Sequence, residues 1–375
     1  MSGRRVVVPA AAAKILRPLS EEARARGTAL YAVGGPVRDW LMRRPNSDLD
    51  LTVAGDPDPV AGVAARLLGG RVDVFGRFGT RRIVAKAKFR LDIATTRAES
   101  YPEPACLPVV DSVRVPIERD LFRRDFTINA LAMRLDDGSH ALTDPYGGLR
   151  DLKDRVLRVL HPASFRDDPT RVFRAARFLG RFGFSPAAGM IDEIRDALSA
   201  GHAAKLSPHR LLHELESLLG EKDPRAAFAL LKSWGYLPFF HSELPWKIAL
   251  PAGVEPRLAA FALALGPVKG RAFVDAFPHA HHRRTMLHET LALASSNKSP
   301  RTPPELLVTA AVRRFLPKLP PAALKPCFLT GADLIARGHK PGPEFHQLLD
   351  EAARLQRAGK LKTRAAAVAW LRLPR

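Results

Sequence analysis

The chain has 375 residues, 46% hydrophobic and 26% charged, which is too long for one ordinary domain and too apolar for a disordered protein. Lys and Arg number 59 against 38 acids, a net charge of +21, so the surface attracts polyanions, with nucleic acid ahead of anionic membrane. No apolar run is long enough to span a bilayer. The patch after Arg4-Arg5 is broken by Pro9, Lys14 and Glu21-Glu22 before it makes a signal peptide. Two distant cysteines, Cys106 and Cys327, form neither a disulfide framework nor a metal spacing, and read as two buried thiols in a reducing cytoplasm.

In chain order, Ala29–Val33 and Leu49–Val53 read as short strands with a helix over Val37–Met42 between them. Gly76 and Gly79 mark a turn, Arg82–Lys88 and Phe89–Thr95 are further strands, and the prolines of Tyr101–Pro108 predict an irregular loop. Thr127–Leu135 supplies another apolar element. From Ser164 the period becomes helical: Asp167–Arg181, then Leu211–Leu219 opened by Ser207 as cap and Pro208, then Asp223–Trp234. Alanine- and leucine-rich helices follow, joined by proline-rich stretches at 299–304 and 316–321. A capping box at Thr330–Asp333 starts a helix that Gly338 closes, and Glu344–Gln356 forms another. The pattern predicts an α+β head with a small mixed or antiparallel sheet, followed by an all-helical remainder.

The chemistry concentrates in the head. Strand alternation puts Asp48 and Asp50 on one face while Leu49, Leu51 and Val53 enter a core. Two carboxylates held so close call for a positive partner, and hard oxygen ligands suit Mg2+. Asp92, between Leu91 and Ile93, is expected beside them. Three carboxylates on adjacent strands suit the two-ion chemistry of phosphoryl transfer. Gly34-Gly35 leave the backbone open to a ligand at a helix start, with Arg38 one turn in, as a triphosphate cradle. In Arg123-Arg-Asp-Phe-Thr-Ile-Asn129, Arg123 and Arg124 are phosphate donors, while Asp125 and Asn129, spaced for one helical face, can reach a ribose hydroxyl. Asp167-Asp168 opens a helix in which Asp168 and Arg171 share a face, continued by Arg174 and Arg177. Read locally this is a charged helix start with an internal ion pair; read functionally, the carboxylate accepts from the amine of C or A and the arginine donates to the ring. His279, His281 and His282 with Arg283-Arg284 read as a solvated basic loop, and the lysines and arginines after Glu351 suit either RNA phosphates or an exposed helix face.

Gly-Gly-x-Val-Arg-Asp-x-Leu from Gly34, Asp-x-Asp at Asp48–Asp50, Leu-Asp-Ile-Ala-Thr-Thr-Arg from Leu91, Arg-Arg-Asp-Phe-Thr-Ile-Asn-Ala-Leu from Arg123 and Asp-Asp-Pro-Thr-Arg from Asp167 occur in one order. Together they resemble the class II tRNA nucleotidyltransferases, the CCA-adding enzymes and their poly(A) polymerase relatives. The resemblance implies a catalytic head at 1–140, a neck at 141–220 that reads the nucleotide base, and a helical body and tail at 221–375 that hold tRNA. It makes Asp48, Asp50 and Asp92 the catalytic and Mg2+-binding residues. Gly34, Gly35, Arg38, Arg124, Asp125, Asn129 and Arg174 become nucleotide contacts, and Asp168 with Arg171 the base template. The substrates implied are tRNA, ATP and CTP, with C and/or A added at the tRNA 3′ end. Two departures stand out: Asp167 replaces the usual Glu, and the loop from Ala98 lacks an Arg-Arg-Pro pattern, which brings it closer to the A-adding subgroup. A poly(A) polymerase and a non-catalytic RNA-binding module remain the alternatives.

Overall fold

The computed structural model describes residues 6–46, 48–75, 79–85, 90–295, 321–325 and 327–371. Residues 76–78 of the expected turn, 86–89 of two expected strands, the joint at 299–304, residues 316–320, Arg372 and Arg375 lie outside the described residues. The chain divides into two compact units, 1–206 and 207–375.

Alternating burial organises the first unit. It begins α1 (Ala10–Ala25), β1 (Leu30–Val33), α2 (Gly35–Leu41), β2 (Asp48–Val53) and α3 (Asp58–Leu68). Next come β3 (Arg71–Phe75), β4 (Thr80–Val84), β5 (Arg90–Thr95), a hairpin of β6 (Arg97–Ser100) and β7 (Val109–Val113), and α4 (Ile117–Phe122). The unit closes with β8 (Ala132–Arg134), β9 (Leu142–Thr143), α5 (Gly148–Asp154), β10 (Val156–Leu157), α6 (Ser164–Asp167), α7 (Thr170–Phe182), β11 (Ser185–Pro186) and α8 (Met190–Ser199).

Seven strands make one sheet in the order β3-β4-β5-β2-β1-β8-β9, in which only β2 and β5 run parallel. Leu49, Leu51, Leu91 and Ile93 face α1 and α3, meeting Leu16, Leu19, Val60 and Ala61 in a closed core. Burying each such side chain is worth roughly 2 kcal/mol. A slip of one residue would expose all four and bury the aspartates instead, so the core fixes the register that aims Asp48, Asp50 and Asp92 at the other face. On that other face, Ile117 and Leu121 of α4 cover Val33 and Ala132.

The strand and helix starts in the head follow the sequence pattern to within a few residues. The proline-rich segment 101–108 is irregular, as its composition requires. Three expectations are corrected. Asp167–Arg181 is not one helix: α6 ends at Asp167, Asp168 is extended at φ −134° and ψ 91°, and α7 starts at Thr170. The cause is Pro169, which disfavours helical backbone at the residue before it. Asp125 and Asn129 do not lie on an α-helix, because Thr127–Asn129 is a single 3₁₀ turn leading into β8. The region after the head also holds a two-residue parallel pair, β10 with β11, among its helices.

The second unit contains helices and no strand among its described residues. Ser207 caps α9 (Pro208–Leu219) by accepting from the Arg210 N–H, and α10 (Arg225–Ser233) follows. After it come α11 (Val254–Asp275), interrupted at Gly266 ahead of Pro267, and α12 (His281–Ser295). Thr330 and Asp333 form the expected capping box of the helix Gly331–Ile335, and Pro343–Arg357 and Arg364–Trp370 are the remaining described helices. The expected loop at His281–Arg284 is instead the first turn of α12. Arg283 is drawn inward by Glu216 on α9 and Glu255 on α11, and His279 is buried. Cys106 and Cys327 are half-buried and unbonded, more open than expected. No described helix is long and apolar enough to cross a membrane.

Candidate active site

The parallel pairing of β2 with β5 sets Asp50 directly against Asp92, with Asp48 against Arg90. Burial pushes the Asp50 carboxyl above its ordinary range; Arg124 and Arg90 work against that, while Asp92 and Asp48 add to it. Arg82 on β4 grips both oxygens of Asp92 at 2.8 Å, and Arg90 lies 3.4 Å from Asp48 and 3.7 Å from Asp92. Arg90 therefore bridges Asp48 and Asp92 while Arg82 holds Asp92 from the β4 side, and among the described residues no three acids, histidines or cysteines are gathered closely enough to enclose an ion. The three aspartates share a face but do not converge as the sequence predicts, because Arg82 and Arg90 supply the compensating charge. Their donor chemistry still fits a divalent cation: hard oxygens on neighbouring strands, around a carboxyl whose charge burial disfavours and a nearby positive charge would favour.

Gly34 precedes α2 at φ +71°, a backbone region that glycine occupies without strain. A Cβ there would stand 2.5 Å from Nη1 of Arg124, so the missing side chain lets that guanidinium lie against the chain. Arg38 is not a free phosphate donor. It is buried, donates to Asp39 Oδ1 at 2.8 Å and Asn129 Oδ1 at 2.5 Å, and packs against the rings of Phe178 and Phe182. Its place is that of a brace between α2, the 3₁₀ turn and α7.

Asp125 is 7% exposed. It accepts from the Phe126 N–H at 2.8 Å, the Asn129 amide at 2.9 Å and Arg174 Nε at 2.7 Å. Burial works to raise its carboxyl, but Arg174 and Asn129 overcome this and hold it at about 2. Asp120, fully buried on α4, anchors the adjoining arginines by accepting from Arg123 and Arg124 and from the Arg97 N–H.

Asp168 accepts from the Thr170 N–H at 3.0 Å and its hydroxyl at 2.6 Å, which pins the extended residue ahead of α7. Arg171, 3% exposed, donates to Ser164 Oγ at 2.6 Å and to the Arg123 carbonyl at 3.0 Å, with the Tyr101 ring 5.7 Å away. The two are not an i, i+3 pair on one helix, since Asp168 stands outside α7.

These pieces border one cavity of about 350 Å³, the size of a small-ligand site. Gly35, Arg38, Asp50, Arg124, Asp125, Asn129, Asp168, Arg171 and Arg174 all line it. Seven arginines line it against four acids, a balance that favours an anion. Nε of Arg124 is buried there without a hydrogen-bond partner. Gly34, Asp48 and Asp92 are not among its lining residues. The sequence reading did not single out Glu99, Tyr101, Phe178 or Arg181, which also line it. Arg181 and Phe178 were within reach, because they extend the Arg171, Arg174, Arg177 stripe at helical spacing. Glu99 and Tyr101 carry no such period, lying at the end of β6 and in the loop after it.

The Poly A polymerase head domain family matches residues 30–158. The CC-adding tRNA nucleotidyltransferase of Deinococcus radiodurans is 34% identical over 341 residues, 90% of this chain and 87% of that protein. The A-adding tRNA nucleotidyltransferase of Geobacter sulfurreducens is 41% identical over 238 residues, 63% of this chain, which spans only 27% of that protein's length. A tRNA-processing enzyme solved in an apo form superposes with a TM-score of 0.62 at 25% identity, covering 94% of this chain and all of the other. With a relative of this identity matched along nearly its whole length, the chain belongs to the class II CCA-adding enzyme family of tRNA nucleotidyltransferases.

Proposed function

We propose that the protein adds C and/or A to the 3′ end of tRNA from CTP or ATP, releasing pyrophosphate, without a nucleic-acid template and in the cytoplasm. The observation that carries this reading is the single arginine-rich cavity that Asp50, Asp168 and Arg171 line together. A nucleoside triphosphate has that polarity: a polyanionic tail and a flat hydrogen-bonding base.

Arg123, Arg124, Arg174, Arg177 and Arg181 neutralise the triphosphate, the open Nε of Arg124 serving as a donor. Asp125, kept ionised by Arg174, and Asn129, oriented by Asp125, hold the ribose hydroxyls. Asp168 accepts from the exocyclic amine that C and A share, and Arg171 donates to the ring. U and G present the opposite pattern, an acceptor where C and A carry the amine, and so mismatch this pair. Asp48, Asp50 and Asp92 would hold Mg2+ beside the α-phosphate. What the ion supplies when bound is Lewis-acid stabilisation of the phosphate oxygens and a lower pKa at the attacking hydroxyl. The tRNA 3′-oxygen attacks the α-phosphorus, and the bond to pyrophosphate breaks.

The test offers purified protein three tRNAs, ending without CCA, in C and in CC, with labelled CTP and ATP singly and together. Incorporation on one or more of them is expected, and the pattern assigns CC, A or CCA addition. Label on an unstructured transcript equal to that on tRNA would make the protein a poly(A) polymerase. RNA binding with no label on any substrate would make it a non-catalytic module.

A further inference from the structure

Phe122 ends α4 with 46% of its surface exposed, and it is the one exposed phenylalanine among the described residues. Burying this ring elsewhere would be favourable, so its outward position is held by neighbours. Its centroid lies 5.7 Å from that of Tyr146 and 5.3 Å from that of His161. Tyr146 is itself fixed, its hydroxyl donating to the Glu118 carbonyl at 2.8 Å. The three rings form a pre-ordered apolar step, so a flat ligand landing on it would freeze little additional motion.

The step is linked to the cavity through the chain, although none of the three rings lines it. Phe122 immediately precedes Arg123 and Arg124, and Arg171 donates to the Arg123 carbonyl. One helical turn before Phe122, Arg119 is exposed on the same side of α4. Burial and the proximity of Arg171 hold the His161 ring below its ordinary pKa, which favours its neutral form.

We propose that Phe122, flanked by Tyr146 and His161, is a stacking surface for an unpaired base at the 3′ end of the RNA, with Arg119 facing its phosphate. The identity of the polyanion rests on the proposed function. Given that, the cavity-lining Arg123 and Arg124 directly after Phe122, and a net charge of +21, favour a single-stranded nucleic acid over a protein partner.

The experiment compares full-length wild type with Phe122→Ala, Phe122→Leu and Phe122→Trp, using a minihelix that ends in a single-stranded CC. Affinity for this RNA is measured by gel shift without nucleotide, and KM is measured separately for RNA and for nucleotide. Phe122→Ala is expected to weaken RNA binding and raise the RNA KM by about tenfold, with the nucleotide KM unchanged. Phe122→Leu should behave like Phe122→Ala, and Phe122→Trp like wild type. Unchanged RNA affinity in Phe122→Ala overturns the proposal, as does full activity in Phe122→Leu. A change in oligomeric state without a change in RNA affinity also overturns it, by making the ring a protein contact. Wild type that binds the minihelix but adds nothing to it would fail the functional reading alone, since the gel shift needs no turnover.

Discussion

Arg174 Nε donates to Asp125 Oδ2 at 2.7 Å, tying α7 to the turn after α4 across 49 residues of chain. The same carboxylate orients Asn129, so one ion pair sets both the wall of the cavity and the amide assigned to the ribose.

Replacing Asp125 with Asn should therefore cost stability as well as activity. Removing one partner of a buried ion pair costs about 3 kcal/mol. The Asp125 carboxyl is held at about 2, below the 3.8 of the free side chain. Its charge thus contributes about 2 kcal/mol that is fully present above pH 4 and lost as pH falls through about 2. The gap in denaturant midpoint between wild type and Asp125→Asn should narrow markedly from pH 6 to pH 2.5. A constant gap would contradict the pairing.

His279 gives the second unit a pH sensitivity of the same sign at higher pH, arising from a buried neutral ring instead of a paired charge. It is 5% exposed, neither ring nitrogen has a hydrogen-bond partner, and burial together with Arg283 and Arg284 lowers its pKa to about 4. The unfolded chain binds a proton near pH 6.5 and the folded one near 4, so stability falls as pH drops between these values. The loss is on the order of 2–3 kcal/mol. Thermal melts of wild type and His279→Phe between pH 7.5 and 4 check this, since only wild type should lose that increment.

Gly34→Ala tests the close approach of Arg124. The new methyl would meet Nη1 at 2.5 Å on a backbone at φ +71°. Strain of about 1–2 kcal/mol is expected, with a several-fold rise in the nucleotide KM. A variant with unaltered Tm and KM would show that the guanidinium has room to move without consequence.

Asp50→Asn should leave the fold intact and reduce nucleotide incorporation by roughly a thousandfold, the loss of several kcal/mol of phosphate stabilisation. Chelation with EDTA should abolish wild-type activity, and added magnesium should restore it. Wild-type rates in Asp50→Asn with an unchanged Tm would remove the aspartate from the mechanism.

Arg171→Ala addresses base choice. Without the ring donor, discrimination of CTP and ATP against UTP and GTP should fall by about 1–3 kcal/mol, which is roughly tenfold to a hundredfold. The readout is the ratio of kcat/KM for the four nucleotides. Equal losses for all four would make Arg171 a structural brace through Ser164 and the Arg123 carbonyl, not a template.

Local chemistry was legible wherever one short segment determined it. Alternation predicted that Asp48 and Asp50 share a face opposite Leu49 and Leu51, and Ser207, Thr330 and Asp333 announced their helix starts. Pro169 carried the signal that breaks α6 from α7, although the charged period around it suggested one helix. Fold class and family followed from motif order, because each motif is a contiguous run of residues.

Tertiary structure alone decided who meets whom. Arg38 looks like a phosphate ligand in sequence, yet the rings of Phe178 and Phe182 and the Asn129 amide make it a buried brace. Arg90 links Asp48 to Asp92, Arg82 holds Asp92 from the neighbouring strand β4, and Phe122 is left outside a core that its neighbours enter. A side chain's partners come from strand pairing and helix packing between distant segments. Their burial and charge balance therefore exist only once the chain has closed on itself.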